Sequence, residues 1–449
     1  MKCEKSTTRH ERFATLDRSY LWHPFTAMRR WSRSDPIIIE SGEGFELIDD
    51  HGRRYIDGFS SLWCNLHGHR VRQIDNAISE QLGKIAHSTL LGLASIPSIE
   101  LARRLVQVAP AGLTRVFFSD SGATAVEVAL KLAFQYFHNT GRKARRFIAL
   151  KEGYHGDTIG AVSVGGVETF HALFKPLLFE TTFVDCPNSF YHPAGGGSAP
   201  VVLSQVEAAI DAGDCCAVII EPLIQAAGGM LTHPTGFLSA LRKLTRDRGV
   251  LLIADEVATG FCRTGSMFAC DRENVCPDIM CLGKGLTGGY LPVAATLASE
   301  ELYGAFYRDG PAGTFFHGHT FTGNALGCAA AVASMDLIES SGLVASLDAK
   351  CALLEQRLAR LANHPNIADI RRCGLMVGID FMMDPAARAP FDPSLRIGEQ
   401  ICRRATDMGL MIRPLDDIVV LMPAPAMDLD TMTRMMDILE AAIHDQLPR

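Results

Sequence analysis

Arg115-Val116-Phe117-Phe118, then Ser119-Asp120-Ser121-Gly122, then Ala123 to Phe137 is the stretch that decides the fold. The first four residues read as a buried strand. The next four are turn and helix-capping residues, and beyond them Val126, Leu130, Ala133 and Phe137 recur at helical spacing. Strand, polar turn and helix repeat outward from there. Phe147-Ile148-Ala149-Leu150, Ala217-Val218-Ile219-Ile220, Leu251-Leu252-Ile253-Ala254, Ile279-Met280-Cys281-Leu282 and Val293-Ala294-Ala295-Thr296 are further strands. Their nearly continuous apolar character predicts coverage on both faces, and the alternation with helices between about residues 114 and 300 predicts a mostly parallel sheet in an α/β fold.

After about residue 335 the texture changes. Leu343 to Leu361 and Met427 to Ala442 read as helices, with short strands at Ile370, at Val377-Gly378-Ile379 and at Ile418 to Leu421. The expected division is an N-terminal segment, 1–70, that joins a small lobe and the active site, a large α/β domain, 71–335, and a C-terminal α+β lobe, 336–449. The stretch Pro193 to Ser198, with three consecutive glycines, reads as a surface loop.

The 449 residues carry 43 Lys and Arg against 50 Asp and Glu, a formal charge of −7, and 47% are hydrophobic while 21% are charged. That balance argues against a disordered chain and against a nucleic-acid-coating role. No run of about eighteen apolar residues and no signal-type opening is present, so a cytoplasmic protein away from membranes is expected. The 13 cysteines are scattered and odd in number, which suits reduced thiols, and none of Cys262, Cys270, Cys276 and Cys281 makes the Cys-x2-Cys pair of a structural zinc site. No metal is expected.

Four constellations carry possible chemistry. Asp255 and Lys284 each follow an apolar strand, at the edge of an α/β sheet where ligands bind; taken alone, an ordinary ion pair between them is the commoner meaning. The turn Ser119 to Ala123 opens a helix whose first N–H groups suit a phosphate, although a capped helix without any ligand has the same signature. Gly153-Tyr154-His155-Gly156-Asp157 sets an aromatic, an imidazole and a carboxylate among glycines after a strand. Such a tyrosine stacks on a planar ligand or merely covers the sheet edge. His317-Gly318-His319-Thr320 lacks a third metal ligand and reads as loop histidines. Together, a phosphate cradle, a stacking aromatic, an acid and an amine on successive strand ends are what pyridoxal 5'-phosphate requires.

With those residues in view the chain resembles a class III pyridoxal-phosphate aminotransferase of fold type I. The resemblance runs over nearly the whole length. It rests on Asp255-Glu256-Val257-Ala258-Thr259-Gly260-Phe261 with Arg263-Thr264-Gly265, and on Leu282-Gly283-Lys284-Gly285-Leu286-Thr287-Gly288-Gly289. Trp22 to Met28, Ser60-Ser61-Leu62-Trp63, Tyr154 to Thr158 and Arg413-Pro414 narrow it to the branch that aminates 8-amino-7-oxononanoate in biotin biosynthesis.

The resemblance implies roles for matching positions. Lys284 would bond the cofactor and shuttle protons, Asp255 would pair with its ring nitrogen, and Tyr154 would stack near the ring. Ser121, Gly122 and Ala123 would hold the phosphate, and His319 and Thr320 would reach the cofactor of the neighbouring subunit in a homodimer with shared sites. Phe25, Leu62, Trp63, Asp157, Gly318 and Arg413 would contact substrate, Arg413 through its carboxylate.

Leu62 and Phe25 stand where a tryptophan and a tyrosine are common in enzymes that take the amino group from S-adenosylmethionine. Phe59 to Trp63, His87 to Gly92 and Phe316 to His319 also resemble a lysine-using branch. S-adenosylmethionine is the expected donor, with L-lysine as the alternative. An aminotransferase for ω-amino acids or diamines is a further alternative. A non-enzymatic binding protein on the same fold is disfavoured by the intact Asp255 and Lys284.

Overall fold

Seven strands build the central sheet: β1 (Leu113–Ser119), β2 (Arg146–Leu150), β3 (Thr181–Val184), β4 (Cys215–Ile220), β5 (Leu251–Asp255), β6 (Ile279–Leu282) and β7 (Ala294–Ser299). Their spatial order is β1-β7-β6-β5-β4-β2-β3. The computed structural model describes residues 8–188, 190 and 197–447, so most of the loop expected at Pro193 to Ser198 lies outside the described residues.

The pairs β2–β3, β2–β4, β4–β5 and β5–β6 are parallel, whereas β7 runs antiparallel to both neighbours. The exception has a local cause. Residues 283–293 are too few for the crossover of about a dozen or more residues that a parallel return requires, so the chain turns straight back. β4, β5 and β6 are buried at every position, as expected for strands with both faces covered. β3, absent from the sequence expectation, is an edge strand beginning Thr181-Thr182, and its half-exposed pattern hides the apolar run that reveals central strands.

The helix α1 (Gly122–Asn139) follows β1. Its inward face, including Val126, Ala129, Leu130, Ala133 and Phe137, packs in one apolar cluster with Phe147, Ala217, Ile219 and Ile253 of the sheet. At about 25 cal/mol per Å², burying each of the larger side chains contributes roughly 1.5–3 kcal/mol toward holding that helix start against the strand tips.

Two four-stranded sheets and a two-stranded ribbon, Ile224–Gln225 with Leu231–Thr232, accompany this layer. Ile39–Glu43, Glu46–Asp49 and Arg54–Asp57 pair in sequence, and Leu410–Met411 joins parallel to Arg54–Asp57. Ile367–Cys373, Met376–Phe381, Ile418–Leu421 and Arg413–Leu415 form the other. No single helix among the described residues is long and apolar enough to cross a membrane.

The helix Arg9–Tyr20 is fastened to this body by a charged clasp. His10 Nδ1 donates to Asp50 Oδ2 at 2.9 Å and His10 Nε2 donates to Asp35 Oδ1 at 3.0 Å, so the imidazolium serves both carboxylates at once. Those bonds raise the His10 pKa above its ordinary value. The clasp is therefore complete below about pH 6.5, the unfolded value, and is lost as pH rises through the raised folded value. Proteolysis within Arg9–Tyr20 should accelerate as the buffer is moved from about pH 6 to about pH 9. In a His10→Ala variant cleavage should be fast throughout, with no pH dependence.

Candidate active site

Because β5 and β6 are parallel neighbours, their carboxyl ends lie at one sheet edge, with Asp255 the last residue of β5 and Lys284 two residues past Leu282. Both line a single cavity of about 470 Å³, in the range of small-molecule sites. Trp63, Ser121, Gly122, Ala123, Tyr154 and Asp157 line it too.

The ordinary Asp–Lys ion pair does not form. Asp255 Oδ2 instead meets His155 Nδ1 at 2.7 Å, both side chains being buried, and Asp255 Oδ1 accepts from the Val257 N–H at 3.1 Å. The Lys284 amine is left facing the Trp63 indole, 5.3 Å from the ring centroid. Burial lowers the lysine's pKa, with Asp255 and Glu221 pulling the other way.

Glu221 follows β4 and brings a third acid to the cavity. Its Oε1 accepts from the Tyr154 N–H at 2.9 Å and its Oε2 from the Ala226 N–H at 3.0 Å. Desolvation, with the Asp255 charge added, raises its pKa to about 7. The Tyr154 hydroxyl donates to Asp157 Oδ2 at 2.8 Å, and burial pushes the phenol pKa upward.

At the opposite end lies the start of α1. Ser121 and Thr124 form a reciprocal cap, the Ser121 oxygen accepting from the Thr124 N–H at 3.3 Å and Thr124 Oγ1 from the Ser121 N–H at 3.0 Å. The N–H groups of Gly122 and Ala123 belong to the first turn and have no helical acceptor. Close packing explains the glycines here. A Cβ on Gly122 would fall 2.5 Å from Val257 Cγ1; one on Gly156, where φ is +118°, would fall 2.4 Å from the Ala123 Cβ.

Other expected residues stand apart from the cavity. Phe25 is exposed, but its ring lies 5.3 Å from Phe170, which is 6.1 Å from Tyr154. Leu62 is exposed beside Trp63 in sequence. Arg413 lies on the strand Arg413–Leu415, partly buried and without an ion pair among the described residues. Gly318, His319 and Thr320 line a separate surface depression with Leu91, Leu93 and Phe316. Glu221 and Phe170 were not among the expected site residues, and neither His155 nor Thr158 had an assigned role. The Glu-Pro pair after an apolar strand was the available signal for Glu221.

Comparison with known proteins gives the family and the fold. The family described as aminotransferase class-III matches residues 27–443. The chain is similar to the adenosylmethionine-8-amino-7-oxononanoate aminotransferase of Geobacter sulfurreducens, 45% identical over 95% of this chain and 96% of that protein. It is also similar to that of Staphylococcus aureus, 46% identical over 96% and 97%. The crystal structure of the Methanocaldococcus jannaschii enzyme of that name superposes with a TM-score of 0.92 at 40% identity, covering 96% of this chain and 98% of that one. An ω-transaminase from Pseudomonas jessenii in complex with PMP superposes at 0.93 with 30% identity, covering 96% and 98%. The family model spans residues 27–443 and the fold superposes over nearly the whole length, and the chain belongs to the class-III aminotransferase family.

Proposed function

We propose that this protein binds pyridoxal 5'-phosphate and transfers an amino group to the 7-keto carbon of 8-amino-7-oxononanoate, giving 7,8-diaminononanoate in biotin biosynthesis. The observation that carries the reading is the Lys284 amine, partly buried and desolvated, in one cavity with Asp255 and the free N–H groups of Gly122 and Ala123. The names of its relatives support the substrate.

The cavity's donor set fits the cofactor. Its open helix start suits a phosphate, Asp255 suits a protonated ring nitrogen, and Thr158 Oγ1, buried at the rim without a partner, offers one more polar group. When bound, pyridoxal phosphate supplies an aldehyde for amines and a ring that withdraws electrons from the neighbouring carbon.

The chain's own groups then divide the work. An amine whose pKa is lowered by desolvation is a competent base: Lys284 Nζ removes the proton from the donor's amino-bearing carbon and delivers one to the former keto carbon of the acceptor. Asp255 pairs with the ring nitrogen in this reading, and His155 holds that carboxylate in one orientation. Trp63 walls the cavity against water and offers an apolar surface to the methylene chain, with Phe25 further out. The unpaired Arg413 guanidinium binds the substrate carboxylate.

S-adenosylmethionine is the amino donor in this reading, as in the names of the relatives. L-lysine is the second reading, favoured by Leu62 and Phe25, which remove an indole and a hydroxyl from the possible contacts to an adenosyl sulfonium. The high superposition on ω-transaminases keeps that wider substrate class as a third. The enzyme acts as a cytoplasmic homodimer, a setting that suits its free described cysteines. Exposed Leu91, Leu93, Phe316 and Phe321 around Gly318, His319 and Thr320 favour a second copy of the chain there.

Lys284→Ala should lose the visible absorbance of the lysine-bound cofactor and at least about 10²- to 10⁴-fold in kcat; a variant keeping both would refute the assignment. Arg413→Ala should raise KM for the keto acid about 10- to 100-fold, the worth of a charge-assisted hydrogen bond, with the cofactor spectrum intact. Mixing the yellow holoenzyme separately with S-adenosylmethionine and with L-lysine identifies the donor: S-adenosylmethionine should bleach the visible band and L-lysine should not.

A further inference from the structure

Ser60, Ser61, Leu62 and Trp63 have φ values of 52°, 49°, 68° and 71°. None is glycine or asparagine. The Trp63 N–H bonds to the Phe59 carbonyl at 2.8 Å and the Cys64 N–H to the Ser60 carbonyl at 3.0 Å, so the segment is one turn of left-handed helix. L-residues avoid that hand because Cβ crowds the following carbonyl, and consecutive residues there persist only when their surroundings hold them.

The restraints are in place on both sides. Asp57 Oδ1 accepts from the Ser61 N–H at 2.9 Å and Asp57 Oδ2 from the Ser61 hydroxyl at 2.7 Å; His69 meets the same carboxylate at 3.1 Å. Ser60 donates to the Met422 carbonyl at 2.5 Å. Arg263, only 1% exposed and without a carboxylate partner among the described residues, donates to Ser60 Oγ at 3.1 Å, to the Pro423 carbonyl at 2.9 Å and to the Asn65 carbonyl at 2.8 Å. A buried guanidinium with only neutral acceptors is costly, and this one joins the turn at Ser60 to the carbonyls of Asn65 just beyond it and of Pro423 across from it, which points to a use. The turn ends on Trp63, the wall facing Lys284.

We propose that Asp57 and Arg263 are positioning residues for the acceptor substrate: they hold the Ser60–Trp63 turn in its left-handed form and so fix the Trp63 indole as the wall along which a long-chain keto acid lies. The inference rests on the functional reading above in naming that acceptor.

The test uses holoenzyme bearing Asp57→Asn or Arg263→Lys. The expected result is a roughly tenfold rise in KM for 8-amino-7-oxononanoate with kcat changed less than about twofold, while a short keto acid, which does not reach the wall, is used as before. Because glycine takes positive φ freely, Asp57→Asn/Ser61→Gly should recover most of the lost KM. Equal losses with both acceptors, or no rescue, would reduce the two residues to scaffold and overturn the proposal. A second arm does not depend on the substrate. The chain has three tryptophans, so Trp22→Phe/Trp31→Phe leaves Trp63 as the only indole, and its quenching by iodide should increase on adding Asp57→Asn or Arg263→Lys at unchanged far-ultraviolet dichroism. Unchanged quenching would overturn the positioning role, whereas a parent enzyme inert toward the keto acid would overturn the functional reading alone.

Discussion

A desolvated amine and a buried acid share one small cavity without pairing, and most of the surrounding structure answers to that constraint. Removing a charge from water is costly unless hydrogen bonds compensate it. Asp255 is compensated by His155 and a backbone N–H, and Glu221 by two backbone N–H groups. Lys284 has no such compensation and faces an indole instead, and burial lowers its pKa. An Asp255–Lys284 ion pair would have been more comfortable and chemically idle.

Keeping the two groups near but apart takes backbone geometry as well as side chains. The parallel register of β5 and β6 brings both strand tips to one edge. The short return into antiparallel β7 keeps the Lys284 turn against the start of α1, where a Cβ on Gly283 would lie only 3.3 Å from the Gly122 backbone. The left-handed Ser60–Trp63 turn supplies the remaining wall at a strain of roughly 1–2 kcal/mol per residue. Strain of this kind gathers where a side chain must be aimed and the surroundings are rigid enough to enforce it.

Much of this was legible in the chain itself. Strands Arg146–Leu150, Cys215–Ile220, Leu251–Asp255 and Ile279–Leu282 announce themselves as apolar runs because both their faces are covered, and Ser121 announces the helix that follows it. The polar edge strand Thr181–Val184 did not, since it lacks the covered face that produces such a run. Asp255 and Lys284 were visible as the polar residues that end apolar strands. Ser60-Ser61-Leu62-Trp63 gave no sign of left-handed backbone, because it holds no residue that tolerates positive φ on its own.

The sequence by itself determined the central covered strands and the helix after the first of them, the acid, the amine and the capped helix start, since these follow from periodicity and turn chemistry acting over a few residues. Tertiary structure decided their partners. His155 takes Asp255 from 100 positions away, Arg263 reaches back to Ser60 and forward to Pro423, and Leu410–Met411 joins the sheet begun at Ile39. Such contacts depend on where separate segments come to rest against a common core, which no local window of sequence contains.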